Sequence, residues 1–204
     1  MTQNHPLRRA SYLKSVHELR QLPPDTGLEV AIAGRSNAGK SSAINAITDQ
    51  SGLARTSKTP GRTQQLVYFE VAQDRYLVDL PGYGYAKVAH SLRDHWQAVL
   101  NEFFRTRQSL RGLLVVMDIR HPLREFDQQM LDWAVTRELP CHCLLTKADK
   151  LPRGQQMRAL QEVRKTLGDA SSVQLFSATA SLGVDEARKV LAGWLQLGPD
   201  AAAV

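Results

Sequence analysis

The sequence of 204 residues predicts an α/β fold: three layers, with a mostly parallel six-stranded sheet and one antiparallel edge strand. Three observations predict it. Apolar runs of strand length alternate with stretches of helical period, the pattern of a sheet covered by helices rather than of a bundle or a sandwich. The first run opens into a glycine-rich turn followed by a helical stretch. The second and third runs are separated only by the short polar turn Ala72-Gln73-Asp74, as in a hairpin.

Taken in order, residues 28–33 form the first strand, and Ile44 and Ile47 mark the helix after the glycine-rich turn. The hairpin strands are 65–71 and 75–80. Leu92, Trp96, Leu100, Phe103 and Phe104 then recur at i, i+3 or i+4, which is one apolar face of a helix. Strands follow at 112–119, 140–145 and 173–176. A helix carrying Met157, Leu160, Val163 and Leu167 precedes the last strand, and one carrying Val184, Ala187, Leu191, Trp194 and Leu195 follows it. Residues 1–26, with Pro23-Pro24, read as an arm packing outside the sheet; residues 27–197 form the one main domain, and 198–204 a flexible tail.

Composition bounds the function. With 43% hydrophobic and 23% charged residues, the chain can bury a single core, which excludes disordered and fibrous classes. The longest apolar stretches, such as 112–117, are far shorter than the ~20 residues that cross a bilayer. Residues 1–24 lack the hydrophobic centre of a secretory signal, so a reducing cytoplasm without membrane attachment is expected. Cys141 and Cys143, at i and i+2 of a strand, share one face and read as core. No two of the six histidines have a spacing that places both on one helical face, so no histidine metal site is expected. Lys plus Arg is 26 against 20 acidic residues, a net charge of +6. Arg55, Lys58 and Arg62, and again Arg105, Arg107 and Arg111, cluster in ways that suit either nucleic acid or a solvated basic face.

The chemistry lies in four segments. Gly34-Arg35-Ser36-Asn37-Ala38-Gly39-Lys40-Ser41 fits G-x-x-x-x-G-K-S/T, placed after a strand and before a helix as phosphate binding requires. Its backbone N–H groups and the helix N-terminus suit phosphate oxygens, Lys40 suits the β- and γ-phosphates, and the Ser41 hydroxyl suits Mg²⁺. Asp79-Leu80-Pro81-Gly82 ends a strand, with the carboxylate placed to hold Mg²⁺ through water and Gly82 N–H placed for the γ-phosphate. Thr146-Lys147-Ala148-Asp149 fits a guanine-reading signature: Asp149 accepts from the ring N–H and the amino group, a donor pair that adenine lacks. Lys147 would cover the base with its stem, and Phe176-Ser177-Ala178 would bring the Ala178 N–H to the guanine carbonyl. Between strands, the loop at 55–64 has the character of a switch, and Thr63, rather than Thr59, is the candidate Mg²⁺ ligand and γ-phosphate sensor.

The strings GRSNAGKSS (34–42), TPGRTQ (59–64), DLPGYGYA (79–86), DIRHPL (118–123) and TKADKL (146–151) make the chain resemble the EngB (YihA/YsxC) family of bacterial GTPases, of the TRAFAC class, over nearly its whole length. The resemblance implies a Ras-like P-loop GTPase, monomeric, that binds GTP or GDP with Mg²⁺. It also implies a role in assembly of the large ribosomal subunit, on a precursor of ribosomal RNA and protein, with a linked requirement in cell division and septation. Carried over by position, Gly34 to Ser41 bind phosphate, Ser41 and Thr63 bind Mg²⁺, and Thr146 to Asp149 read guanine. Gly61, Arg62, Thr63, Gln64 and Gln65, with Asp79, Leu80, Pro81 and Gly82, sense the γ-phosphate. Lys40, Thr63 and Asn37 are the catalytic candidates. After Ala178 the chain continues Thr-Ala-Ser-Leu-Gly, where relatives often carry lysines.

The place of a Ras-type water-positioning glutamine holds Tyr83, so slow intrinsic hydrolysis is expected. Asn37 suits either a K⁺ ion beside the β- and γ-phosphates, as in related GTPases, or simple fixing of the loop by hydrogen bonds. Tyr83, Tyr85 and Lys87 suit either an RNA-facing surface or packing on the next helix. His121 reads as a loop-fixing residue. A small-molecule kinase with the same loop is the alternative class; the segment Thr146 to Asp149 and the lack of a separate acceptor domain favour a GTP-dependent switch.

Overall fold

A computed structural model of the chain describes residues 5–55, 65–82 and 90–198. Seven strands are present: β1 Ser11–Val16, β2 Leu28–Gly34, β3 Leu66–Ala72, β4 Arg75–Asp79, β5 Leu110–Asp118, β6 Cys141–Thr146 and β7 Ser171–Leu175. They form one sheet in the order β1-β3-β4-β2-β5-β6-β7. Five α-helices join them: α1 Lys40–Thr48, α2 His90–Thr106, α3 Glu125–Thr136, α4 Arg153–Leu167 and α5 Val184–Trp194.

The three-layer α/β expectation holds, with two corrections. The arm was expected outside the sheet, yet Ser11–Val16 is its seventh strand, paired antiparallel to β3. β3 is therefore the one strand running against the rest, but it lies second from the edge. Only Val16 of β1 is fully buried, while Tyr12 and Leu13 stay exposed, so no apolar alternation announced the strand. Its anchors are instead Leu7, sealed in the core, and Gln50 Nε2, which donates to the carbonyls of Arg8 and Ala10 at 2.8 and 2.6 Å. The second correction is α3, whose stripe Phe126, Met130 and Ala134 has the i, i+4, i+8 spacing that could have found it. Its N-terminus carries a readable cap as well, since the Asp127 carboxylate accepts the Arg124 N–H at 3.0 Å. Observed strand ends lie within two residues of the expected ones.

β2 is buried along its whole length, because helices cover both faces of the sheet. On one face Leu100, Phe103 and Phe104 of α2, Met130 of α3 and Leu160 and Val163 of α4 pack with Cys141 and Cys143. On the other, Ile44 and Ile47 of α1 meet Ala187 and Leu191 of α5. At Gly112 of β5 an added Cβ would stand 2.3 Å from the Trp194 ring, so glycine is what lets α5 lie this close.

Arg107 departs from the basic cluster read in the sequence. It is 5% exposed and turned inward, with Nε and Nη2 donating to Glu29, itself fully buried, at 2.5–3.1 Å. The Tyr68 hydroxyl donates to the same carboxylate at 3.3 Å, and Asp25 accepts the Gln108 and Ser109 N–H groups at 2.9 and 2.7 Å. This network fastens the α2–β5 connection and the start of β2 to β3, at the end of the sheet away from the glycine-rich turn.

Candidate nucleotide site

The strand register puts the candidate groups at one level. Ile32 pairs with Asp79, Gly34 with Val116, and Asp118 with Thr146, so the carboxyl ends of β2, β4, β5 and β6 converge where the strand order turns about β2. The glycine-rich turn leads into α1, whose N-cap Gly39 has φ +94°, a conformation that favours glycine. A Cβ there would stand 3.4 Å from Thr146 Oγ1, so the turn lies alongside the segment expected to read the base.

Lys40 Nζ donates to Asp79 Oδ1, and both side chains are nearly enclosed. Burial pushes the Asp79 carboxyl up, and the Lys40 ammonium opposes that shift. Gly82 abuts the turn: a Cβ on it would lie 3.5 Å from Ser36 N and 3.6 Å from the Gly34 carbonyl. Among the described residues the Ser36 hydroxyl is buried without a hydrogen-bond partner. Asn37 stands in the turn at φ +62°, a left-handed conformation uncommon for a residue other than glycine.

The base-reading candidates are bolted to the turn. The Thr146 hydroxyl, with one proton to give, stands 2.5 Å from the Ala38 carbonyl oxygen and 3.0 Å from that of Met117. Lys147 Nζ donates to the Asn37 carbonyl at 2.5 Å and to Asp118 Oδ2 at 2.9 Å. Ala148 N–H donates to the Phe176 carbonyl at 3.1 Å, which holds Phe176, Ser177 and Ala178 alongside. Ser177 Oγ donates to Asp149 Oδ1 at 2.7 Å, and Lys150 pairs with Oδ2 at 3.0 Å. The Ser177 hydroxyl first, then Lys150, hold the Asp149 carboxyl below its ordinary value.

The turn, Asp79 to Gly82, Thr146 to Asp149 and Phe176 to Ala178 are thus brought together. Gln65 lies just before β3. Gly61, Arg62, Thr63 and Gln64, and also Thr59, Tyr83, Tyr85 and Lys87, lie outside the described residues. The Thr146 side chain is buried, with its hydroxyl lying between the Ala38 and Met117 carbonyls. His121 Nδ1 and Arg124 Nη2 stand 3.4 Å apart beside α3, in keeping with a loop-fixing residue.

Oxygen donors suit a small hard cation, and among the described residues Ser41 Oγ has a long 3.4 Å contact with the Arg55 carbonyl to give up. Among the described residues no three of His, Cys, Asp and Glu gather into a metal cage. Mg²⁺ is held by one or two protein oxygens together with phosphates and water. Sequence reading assigned no role to Asp118 and Arg120, although an acidic residue ending the strand beside the glycine-rich turn is a signal of the same kind as Asp79.

Three comparisons bear on this geometry. Residues 29–147 match the family described as 50S ribosome-binding GTPase. The chain is 64% identical over 195 residues to the "Probable GTP-binding protein EngB" of Stenotrophomonas maltophilia (strain K279a), covering 94% of this chain and 98% of that one. It is 61% identical, over 94% of each chain, to the protein of the same name from Xanthomonas oryzae pv. oryzae (strain PXO99A). A crystal structure of a probable GTP-binding protein engB superposes with TM-score 0.67 over 82% of this chain and 98% of that one, at 15% identity, which speaks to the fold.

Proposed function

Because the chain belongs to the EngB family of GTP-binding proteins, which are P-loop GTPases, we propose that it is a cytoplasmic, monomeric switch whose GTP-bound form docks on a precursor of the large ribosomal subunit and whose hydrolysis permits release. A linked requirement for division and septation follows from failure of that assembly. A small-molecule kinase is set aside by family membership.

The observation that supports this reading best is the joining of the guanine carboxylate to the phosphate loop. Thr146 and Lys147 grip the adjacent carbonyls of Ala38 and Asn37, so base recognition at Asp149 and phosphate binding at Gly34 to Ser41 belong to one rigid unit. Asp149 accepts the two donors of guanine, and Ser177 keeps its carboxylate ionised and aimed. Adenine does not present that pair of donors to the carboxylate, so it binds less well than guanine. Lys40 exchanges its bond with Asp79 for the β- and γ-phosphates. Ser41 and Asp79 would hold Mg²⁺, with Thr63 as a further ligand, and the ion supplies charge neutralisation of the phosphates when bound. Gly82, lying against Ser36, is placed so that its N–H and the segment Gly61 to Gln65 sense the terminal phosphate.

Co-sedimentation tests the switch. With a non-hydrolysable GTP analogue, the protein pellets with large-subunit precursor particles several-fold more than with GDP, and unlabelled GTP but not ATP displaces a fluorescent guanine nucleotide. Equal pelleting with both nucleotides would overturn the docking reading, and displacement by ATP as readily as by GTP would overturn the guanine reading. Asn37 carries the remaining part of the proposal, a K⁺ ion beside the phosphates. Turnover of GTP is then faster in KCl than in NaCl at equal ionic strength, and identical rates would remove K⁺ from the mechanism.

A further inference from the structure

Resting on the nucleotide-site reading above, we infer that Asp118 is the positioning residue of the base-reading turn: its carboxylate holds the Lys147 ammonium on the Asn37 carbonyl and so fixes the guanine carboxylate relative to the phosphate loop.

Asp118 closes β5 and stands level with Thr146 of β6. Four donors converge on its carboxylate. Arg120 approaches along two edges, with N–H and Nε on Oδ1 at 3.1 and 2.9 Å and Nη2 on Oδ2 at 2.6 Å. Lys147 Nζ takes the other side of Oδ2 at 2.9 Å. Burial alone would raise this carboxyl, but the Arg120 and Lys147 hydrogen bonds hold it well below the usual carboxylate range. It is therefore a permanent anion at the mouth of the site, and Arg120 fixes its plane.

That anion does what the Asn37 carbonyl cannot do alone. A lysine ammonium is a compact charge on a flexible four-carbon stem, so one neutral acceptor at its tip leaves the stem free to swing. With Asp118 as a second anchor, the ammonium is caught between two elements and the stem is drawn taut beneath the place where the base lies. Lys147 enters this arrangement at φ +57° and Asn37 at φ +62°, backbone conformations that few residues adopt without being held. Thr146 makes the neighbouring tie to Ala38 through a neutral, buried hydroxyl that has no mobile stem to steer. Of the two ties between loop and turn, the one through Lys147 depends on a partner outside both, and Asp118 is that partner.

The consequence is kinetic. Loss of Asp118 loosens the base-reading turn without touching phosphate or guanine, so both nucleotides leave faster by a common factor. The test is stopped-flow release of a fluorescent GDP analogue from the full chain, with equilibrium binding of GDP and a non-hydrolysable GTP analogue. Asp118→Asn is expected to speed release about 10- to 30-fold, in the range seen when a residue supporting a ligand-contacting side chain is removed, and to weaken both nucleotides equally. In a Lys147→Met background the same substitution adds less than about twofold, because the side chain it steers is gone. Asp118→Glu restores part of the effect, and Arg120→Ala, which leaves the carboxylate but frees its plane, gives a smaller acceleration of the same kind. Should Asp118→Asn not fold, Arg120→Ala and Lys147→Met in single and double form carry the same cycle through the same anion. Release unchanged in a folded variant, or effects that simply multiply with Lys147→Met, overturn the inference. Failure of the unaltered chain to bind guanine nucleotide at all would instead sink the site reading on which it rests.

Discussion

Lys40→Ala is expected to lower the affinity for GDP and GTP by two to three orders of magnitude, about 2.7–4 kcal/mol, and to abolish measurable GTP hydrolysis. Two losses combine. The β- and γ-phosphates lose a cation that stands on the first turn of α1, and Asp79 loses the ammonium that now offsets its burial. An enclosed carboxylate without that partner takes up a proton more readily, and a protonated Asp79 is a poor support for Mg²⁺. Lys40→Arg should not rescue, because a planar guanidinium does not fill the place of a compact ammonium. Calorimetric titration with GDP, together with single-turnover hydrolysis, decides the matter. Hydrolysis within about threefold of the unaltered chain would mean that Lys40 does not reach the phosphates. Unchanged far-ultraviolet dichroism guards against reading a folding defect as a binding one.

The second large effect lies at the opposite end of the sheet. Arg107→Leu strands the Glu29 carboxylate, which is fully buried, with the Tyr68 hydroxyl as its one remaining side-chain partner among the described residues. Breaking one side of a buried ion pair costs about 3–5 kcal/mol, a large share of the 5–15 kcal/mol that holds a domain together. Urea unfolding should show a midpoint shifted down in that proportion with little change in slope. Replacing Glu29 and Arg107 together by leucine recovers most of the loss, since the expense lies in the orphaned charge rather than in the missing bond. A single Arg107→Leu variant as stable as the parent would show that the pair is not enclosed as described.

The parts of the fold that sequence could announce were those whose burial is periodic or complete. β2, β5 and β6 are apolar nearly throughout, and α2 and α4 carry regular stripes, so their place in a covered parallel sheet was readable. β1 was not readable, because an edge strand buries little and is specified by its partner: Tyr12 and Lys14 meet Phe69 and Tyr68 across a bulge, a relation that no local pattern encodes. Arg107 misled for a similar reason, since charge along the chain gives no hint that Glu29, distant in sequence, lies against it in space. In the candidate site, the turn, Asp79 to Gly82 and Thr146 to Asp149 were legible as candidates because binding phosphate and guanine calls for particular residue types at fixed spacing. The grip of Thr146 and Lys147 on the Ala38 and Asn37 carbonyls was not, because its acceptors are backbone atoms common to every residue.

β1 has one more effect. By lying along Leu66–Ala72 it occupies amides and carbonyls that would otherwise face outward. A shortened chain starting at residue 27 would keep the whole nucleotide site yet present the bare margin of β3 to its neighbours. Such a margin is a template for stacking one copy upon another, so Ser11–Val16 acts as a guard against precipitation as much as a part of the scaffold.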